Sequence, residues 1–345
     1  MSADYEVLGP DILKDLHDPT RDFAYDVLVG LSERPKRLPS KYFYDDAGSR
    51  YFQAIMDSPE YYPTDCEAEI LEAHADAIVA PLLGSPINLV DLGAGDGKKT
   101  MLLIDALRRA KADFTFVPID ISEGAMESLL EEVKERAPDV RVKGLVCDYT
   151  DGVHHLHRQS LAAGDGTRNL VLFLGSNIGN FDRVRARAFL RRLWSALSEG
   201  DHCLIGFDLK KDIEVLLAAY NDRAGVTSAF NLNLLLRMNR DLGANFNVEN
   251  FRHFGTYNVF SGAMESYLVS LIPQVVEVKA LAQSFAFDAW EPVHTEYSYK
   301  YLRSDIDGLA DDTGFTVVER FEDKRGWFQD ALLEVHHPET PEPRR

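Results

Sequence analysis

The segment Asp91-Leu92-Gly93-Ala94-Gly95-Asp96-Gly97-Lys98-Lys99 lies between an apolar run that begins at Ile87 and an amphipathic run that ends at Ala110. A glycine turn from a buried strand into a helix lets backbone approach a ligand without Cβ clashes and aims a helix N-terminus at it. The dinucleotide spacing G-x-G-x-x-G is incomplete, because Lys98 holds the place of its last glycine. A nucleoside still fits. Asp120 ends the next strand-like run, 23 residues beyond Gly97, where a carboxylate can accept hydrogen bonds from both ribose hydroxyls. Asp148-Tyr149 ends the third run, within reach of an adenine. These positions suggest capture of a nucleoside-bearing small molecule, with a nicotinamide dinucleotide as one alternative.

A fourth run ends in Leu174-Gly175-Ser176-Asn177-Ile178-Gly179-Asn180, and ligands of open α/β sheets bind beside such loops. Ser176 resembles a hydrolase nucleophile, but that motif needs glycine two residues earlier, where Leu174 stands. Asn177 and Asn180 instead offer both donor and acceptor to the polar head of an amino acid. His154, His155 and His157 read as a surface loop, since adjacent histidines cannot both face one ion from a regular element without distortion. Cys66, Cys147 and Cys203 lie far apart and contain no CxxC, so no metal is expected. Glu131-Glu132, inside an amphipathic pattern, reads as a solvated helix face.

Positioning these residues calls for alternating strands and helices from residue 64 onward, which predicts a doubly wound, mostly parallel α/β sheet. Thr64-Asp65-Cys66-Glu67 reads as a capping box for a helix to Ala80. FTVVERFED and FQDALLEVHH, separated by Lys324-Arg325-Gly326, predict a closing hairpin and an antiparallel last strand. After Lys210 the rhythm changes to an Asn-rich helical stretch followed by strands, and residues 8–63 hold no sheet of their own. The stretch after Lys210 therefore reads as an insertion. The polar tail HHPETPEPRR reads as frayed.

In the strand-like TEYSYKY, Glu296 and Ser298 fall on one face and Thr295, Tyr297, Tyr299 and Tyr301 on the other. Two polar groups ~7 Å apart can bracket a small heteroaromatic ring; a solvated edge strand is the alternative. Tyr62 reads as core with a satisfied hydroxyl. The chain of 345 residues carries 56 acidic against 37 basic residues, a formal charge of -19. Such a surface repels phosphate backbones and anionic lipid, so a small molecule is the expected partner, with neither nucleic acid nor membrane. Absence of an apolar leader, of any run of ~18 apolar residues and of a disulfide framework points to a cytoplasmic enzyme.

The turn D-x-G-x-G-x-G, with acids ending strands two and three and an antiparallel last strand, resembles the S-adenosylmethionine (SAM) site of Rossmann-like methyltransferases. More specifically, LPSKYFYDDAGSRYFQAIMDSPEYYPTDCEAEIL, DLGAGDGKKT, FLGSNIGNF, AYNDRAGVTSAFN and TEYSYKY resemble the bacterial histidine N-alpha-methyltransferases of ergothioneine biosynthesis. The similarity spans approximately residues 20–335, with the motifs in the same order. It implies two domains, 8–63 with 210–299 for substrate and 64–209 with 300–338 around the Rossmann-like sheet, in a SAM-dependent enzyme that methylates the α-amino group of free L-histidine up to three times, giving hercynine. By position, it implies that Gly93, Gly95, Lys99, Asp120, Asp148 and Tyr149 hold SAM. It also implies that Asn180 and Tyr220 meet the substrate carboxylate, and that Tyr61, Glu296 and Ser298 surround the imidazole. Gly175 and Asn177 line the substrate loop, and Tyr44 with Asn180 falls in the reacting region. Ser266 stands where the family commonly has a methionine beside the ring, which leaves another aromatic amino acid as the nearest alternative substrate. A nicotinamide-dependent oxidoreductase and a non-catalytic sensor are the more distant ones.

Overall fold

The computed structural model describes residues 4–6, 19–149, 151–153, 155 and 166–337. His154, His157 and the tail from residue 338 lie outside the described residues. Two compact units are present, one built around residues 65–209 and 301–337, the other around 19–64 and 210–300.

The first unit is an eight-stranded sheet. Its parallel strands are β1 (Asp4–Glu6), β3 (Ile87–Leu92), β4 (Phe114–Asp120), β5 (Arg141–Val146), β6 (Arg168–Phe173) and β7 (His202–Asp208). Strand β14 (Phe328–Val335) runs antiparallel to β7 and pairs with β13 (Phe315–Glu322) in the expected hairpin. The order is β1-β5-β4-β3-β6-β7-β14-β13, so successive strands leave β3 in opposite directions. That reversal opens a crevice at the carboxyl end of β3, where the glycine turn lies. Ile87, Leu89, Val90 and Leu92 are all buried, as a strand covered on both faces requires. Helices α4 (Lys98–Arg109), α5 (Glu123–Arg136) and α6 (Arg183–Ala196) cross over between strands, and α9 (Arg303–Asp311) precedes β13. Ser122 caps α5 as expected, its hydroxyl accepting from the Ala125 amide at 3.2 Å.

The second unit packs α1 (Pro19–Ser32), α2 (Asp46–Met56), α7 (Ile213–Tyr220) and α8 (Val226–Leu242) with a four-stranded sheet ordered β2-β12-β9-β8. Its strands are β2 (Lys36–Arg37), β8 (Phe251–Asn258), β9 (Ala263–Ser270) and β12 (Pro292–Tyr299); β10 (Gln274–Val278) and β11 (Gln283–Phe287) pair separately. Phe43, Phe230, Leu234, Met238, Leu268 and Val293 belong to its core. The Asn-rich helix α8 can be buried because its amides are satisfied: Asn231 accepts from the Thr295 hydroxyl and Asn233 donates to Asp45.

Among the described residues, 19–63 hold no sheet of their own but lend one short strand, Lys36–Arg37, which adds to β12 in parallel. Strand β2 flanks β12 only at Val293 and His294, and Glu296–Tyr299 pairs with β9; the alternative of a solvated polar face fails because Ser298 and Lys300 are buried. A bulge between His294 and Glu296 turns Thr295 inward, where its hydroxyl meets Asn231 and the Ser266 carbonyl, so it does not line up with Tyr297.

Candidate active site

In the sheet unit, helix α3 (Tyr62–Val79) precedes β3, and the turn after β3 bends through Gly93, Gly95 and Gly97, all with positive φ. A Cβ on Gly97 would lie 2.1 Å from Leu129 of α5, so this glycine gives the close helix packing that the missing last glycine of the dinucleotide motif would otherwise supply. A Cβ on Gly93 would lie 2.8 Å from the Tyr149 hydroxyl; one on Gly95 would meet nothing within 4 Å. Asp120 ties the turn to the end of β4, with Oδ2 accepting from the Gly95 amide at 3.0 Å and Oδ1 from the Ser122 amide at 2.9 Å. Burial raises the Asp120 carboxyl above its ordinary range, although the amides of Ser122, Gly95 and Ile121 act in the other direction. Asp91, beneath the turn, accepts from the Thr100 hydroxyl, and burial pushes its carboxyl up to about 7.

Tyr149 stands edge-on to Phe173 at 5.2 Å, and its hydroxyl end closes on the turn. Asp148 is exposed and accepts from the Asp151 amide at 3.0 Å. The loop after β6 forms a short 3-10 helix, Asn177–Asn180, with both asparagines partly exposed. Ser176 is structural: its hydroxyl is buried and accepts from the Asp208 amide at 3.2 Å.

Glu67 was not a candidate, because T-x-x-E reads as a cap. Helix α3 begins two residues before Thr64, so Glu67 lies within it and points inward, fully buried. Its carboxylate accepts from the Gly175 amide at 2.8 and 2.9 Å and from the Lys99 ammonium. Burial pulls the Lys99 pKa down, but the Glu67 carboxylate outweighs it and leaves the group above the ordinary lysine value. One buried acid therefore fixes both the first turn of α4 and the loop after β6. Gly175 joins them: a Cβ there would sit 3.4 Å from the Lys99 nitrogen and 3.9 Å from the Asn177 amide nitrogen.

Within the second unit, Tyr44, Phe52, Tyr61 and Tyr220 form a chain of edge-on rings with successive centroid distances of 5.6, 6.3 and 6.5 Å. The Tyr220 hydroxyl donates to Ser298 Oγ at 2.7 Å. Regular pairing of Glu296 through Tyr299 with β9 puts Glu296 and Ser298 on one face, and Ser266 is the cross-strand partner of Glu296. Burial pushes the Glu296 carboxyl up to about 7, against the charge of Lys300. Tyr62 is core as expected, its hydroxyl accepting from Lys211 at 2.9 Å.

A family model described as "Histidine-specific methyltransferase, SAM-dependent" matches residues 23–335. The chain belongs to that family. Histidine N-alpha-methyltransferase of Mycolicibacterium smegmatis is 36% identical over 303 residues, covering 88% of this chain and 92% of that protein. Its counterpart from Mycobacterium tuberculosis is 35% identical with the same coverage. Ergothioneine biosynthesis protein 1 of Schizosaccharomyces pombe is 30% identical over 83% of this chain but 37% of its own length.

This methyltransferase depends on SAM. Its glycine turn fits that group: Gly95 leaves open space, and Asp120 uses part of a carboxylate's four acceptor sites on backbone, leaving others for hydroxyls. Among the candidates in the sheet unit, Gly93, Gly95, Asp120 and Tyr149 converge on the turn, while Lys99, Gly175 and Asn177 converge at the next loop. Asn180 ends that loop, and Asp148 accepts from the Asp151 amide in the turn after β5. Tyr44, Tyr61, Tyr220 and Ser298 form a continuous set in the other unit, with Glu296 beside Ser298. Lys300 was missed there. The alternation that selected Glu296 and Ser298 continues to Lys300, so its signal was present in TEYSYKY. Among the described residues, no three His, Cys, Asp or Glu side chains group as metal ligands, and no helix is long and apolar enough to cross a membrane.

Proposed function

We propose that this methyltransferase transfers methyl groups from SAM to the α-amino nitrogen of free L-histidine, up to the trimethylated hercynine of ergothioneine biosynthesis. The observation that carries the reading is the polar row of Glu296 and Ser298 on one strand face, with the Tyr220 hydroxyl of helix α7 bonded to Ser298, in a chain of the histidine-specific family. Gly93, Gly95, Lys99, Asp120, Asp148 and Tyr149 hold SAM, which supplies an electrophilic methyl on a sulfonium that leaves as a neutral sulfide. Asn180 and Tyr220 hold the α-carboxylate; Tyr61, Glu296 and Ser298 hold the ring; Gly175 and Asn177 leave room for the growing ammonium. Positioning of the amine lone pair provides most of the rate, since no covalent intermediate is needed. The amine must be uncharged to react. Desolvation lowers the pKa of the bound ammonium, and its proton passes to water, either directly or through a tyrosine hydroxyl that gives up its own proton as it takes the new one, for which Tyr44 is the candidate. A cytoplasmic location and the absence of a nucleic-acid partner belong to the same reading, supported by free buried thiols and a net charge of -19.

If Asn180 and Tyr220 hold a carboxylate, turnover of free histidine should exceed that of its methyl ester and of a C-terminally extended dipeptide. Steady-state rates on the three compounds check this, and equal turnover would remove the assignment. A second reading, a larger aromatic amino acid as substrate, is favoured by one observation: the direct neighbour of Glu296 on β9 is the small Ser266.

A further inference from the structure

Two fully buried acids, Glu67 of α3 and Asp330 of β14, stand together on one face of the eight-stranded sheet. Asp330 is the cross-strand partner of Gly206 on β7, and directly opposed residues of an antiparallel pair project to the same face. A Cβ on Gly206 would run into Glu67 Oε1, so glycine there makes the space in which the Glu67 carboxylate lies beside Asp330. The two acids are not equivalent. Glu67 accepts from the Gly175 amide and the Lys99 ammonium, whereas neither Asp330 oxygen has a hydrogen-bond donor among the described residues. Burial and the adjoining Glu67 charge raise the Asp330 carboxyl well above its ordinary range, against the pull of Lys99. Asp330 is therefore the neutral member, and Glu67 alone balances the charge of Lys99. A buried ion pair is weak evidence of stabilisation, since apolar groups of the same shape often do as well, so this one calls for a use. An ammonium has three donors and Glu67 takes one; Lys99 is partly exposed, and Gly175 leaves room beside its nitrogen.

SAM carries a single anionic group, the carboxylate of its amino-acid end, and that is the group a cation selects. Resting on the proposed role of Lys99 at SAM, we infer that Glu67 is a positioning residue that sets the Lys99 ammonium and the loop at Gly175 for the carboxylate of SAM. It acts through Lys99 and does not touch the cofactor. Holding the ammonium in one place spares binding the cost of ordering a long side chain. A second anion under Lys99 would repel the incoming carboxylate, and the neutral Asp330 avoids it.

The test is calorimetric titration of the parent, Glu67→Gln, Lys99→Met and the double variant with two compounds. One is S-adenosylhomocysteine; the other is 5′-methylthioadenosine, which keeps the nucleoside but has no amino-acid end. Glu67→Gln should weaken S-adenosylhomocysteine at least ~10-fold and leave methylthioadenosine largely unchanged, because loss of a charge-assisted contact is tenfold or more. A merely structural defect would weaken both. The double variant removes both charges together and should lose no more S-adenosylhomocysteine affinity than Lys99→Met alone, a comparison that stands should the single Glu67 variant fail to fold. Equal weakening of the two compounds in Glu67→Gln, additive losses in the double variant, or a Glu67→Gln that binds S-adenosylhomocysteine as the parent does while Lys99→Met does not, would overturn the role of Glu67. Unchanged affinity in Lys99→Met would instead overturn the reading of Lys99 at SAM.

Discussion

Replacing Asp120 by alanine is expected to weaken SAM binding by ~10- to 150-fold, the loss of a charged acceptor worth ~1.5–3 kcal/mol. The carboxylate does two things at once. Its contacts to the Gly95 and Ser122 amides hold the glycine turn against the end of β4. Its remaining acceptor sites are the ones available to ribose hydroxyls. Asp120→Asn keeps the shape and one acceptor oxygen, so it should lose less than alanine does. Calorimetric titration of both variants with SAM separates these outcomes, and unchanged affinity in Asp120→Ala would show that the cofactor is held elsewhere.

Glu296 should show an opposition between function and stability. Its removal in Glu296→Ala is expected to weaken histidine by ~10- to 150-fold and to relax discrimination against phenylalanine, tyrosine and tryptophan, because a buried acceptor penalises a ring with no donor. The fold should respond in the other direction. Burial raises the carboxyl from 4.5 in the unfolded chain to about 7 in the folded one. A raised carboxyl contributes stability below the unfolded value that is lost as pH rises through the folded one. Glu296→Gln, which cannot ionise, should therefore match the parent near pH 4 and exceed it by ~1–3 kcal/mol at pH 8. Urea melts at the two pH values measure the difference, and a variant less stable than the parent at pH 8 would show that the ionised carboxylate is well paired.

The sheet was legible because its central strands are covered on both faces and so appear as predominantly apolar runs, from Ile87, Phe114 and Leu170. The turn was legible because positive φ demands glycine. Glu67 was hidden because a helix cap and a buried clamp can share one four-residue pattern, and only the start of α3 at Tyr62 separates them. The inward turn of Thr295 was hidden because strict alternation has no place for a bulge. Lys300 was hidden for a chemical reason. Alternation places it on the face of Glu296 and Ser298, but a lysine in a strand is expected to reach solvent, and the Tyr220 hydroxyl that helps enclose it lies 80 residues away in sequence.

The central claim is that free L-histidine receives methyl groups on its α-nitrogen, and the most direct measurement is mass spectrometry of the purified protein incubated with SAM and an equimolar mixture of histidine, phenylalanine, tyrosine and tryptophan. Histidine should show successive gains of one, two and three methyl groups, with one S-adenosylhomocysteine formed per methyl and little product from the other three. Faster methylation of tryptophan or tyrosine than of histidine would contradict the substrate assignment, and no methyl gain on any of them would contradict the activity.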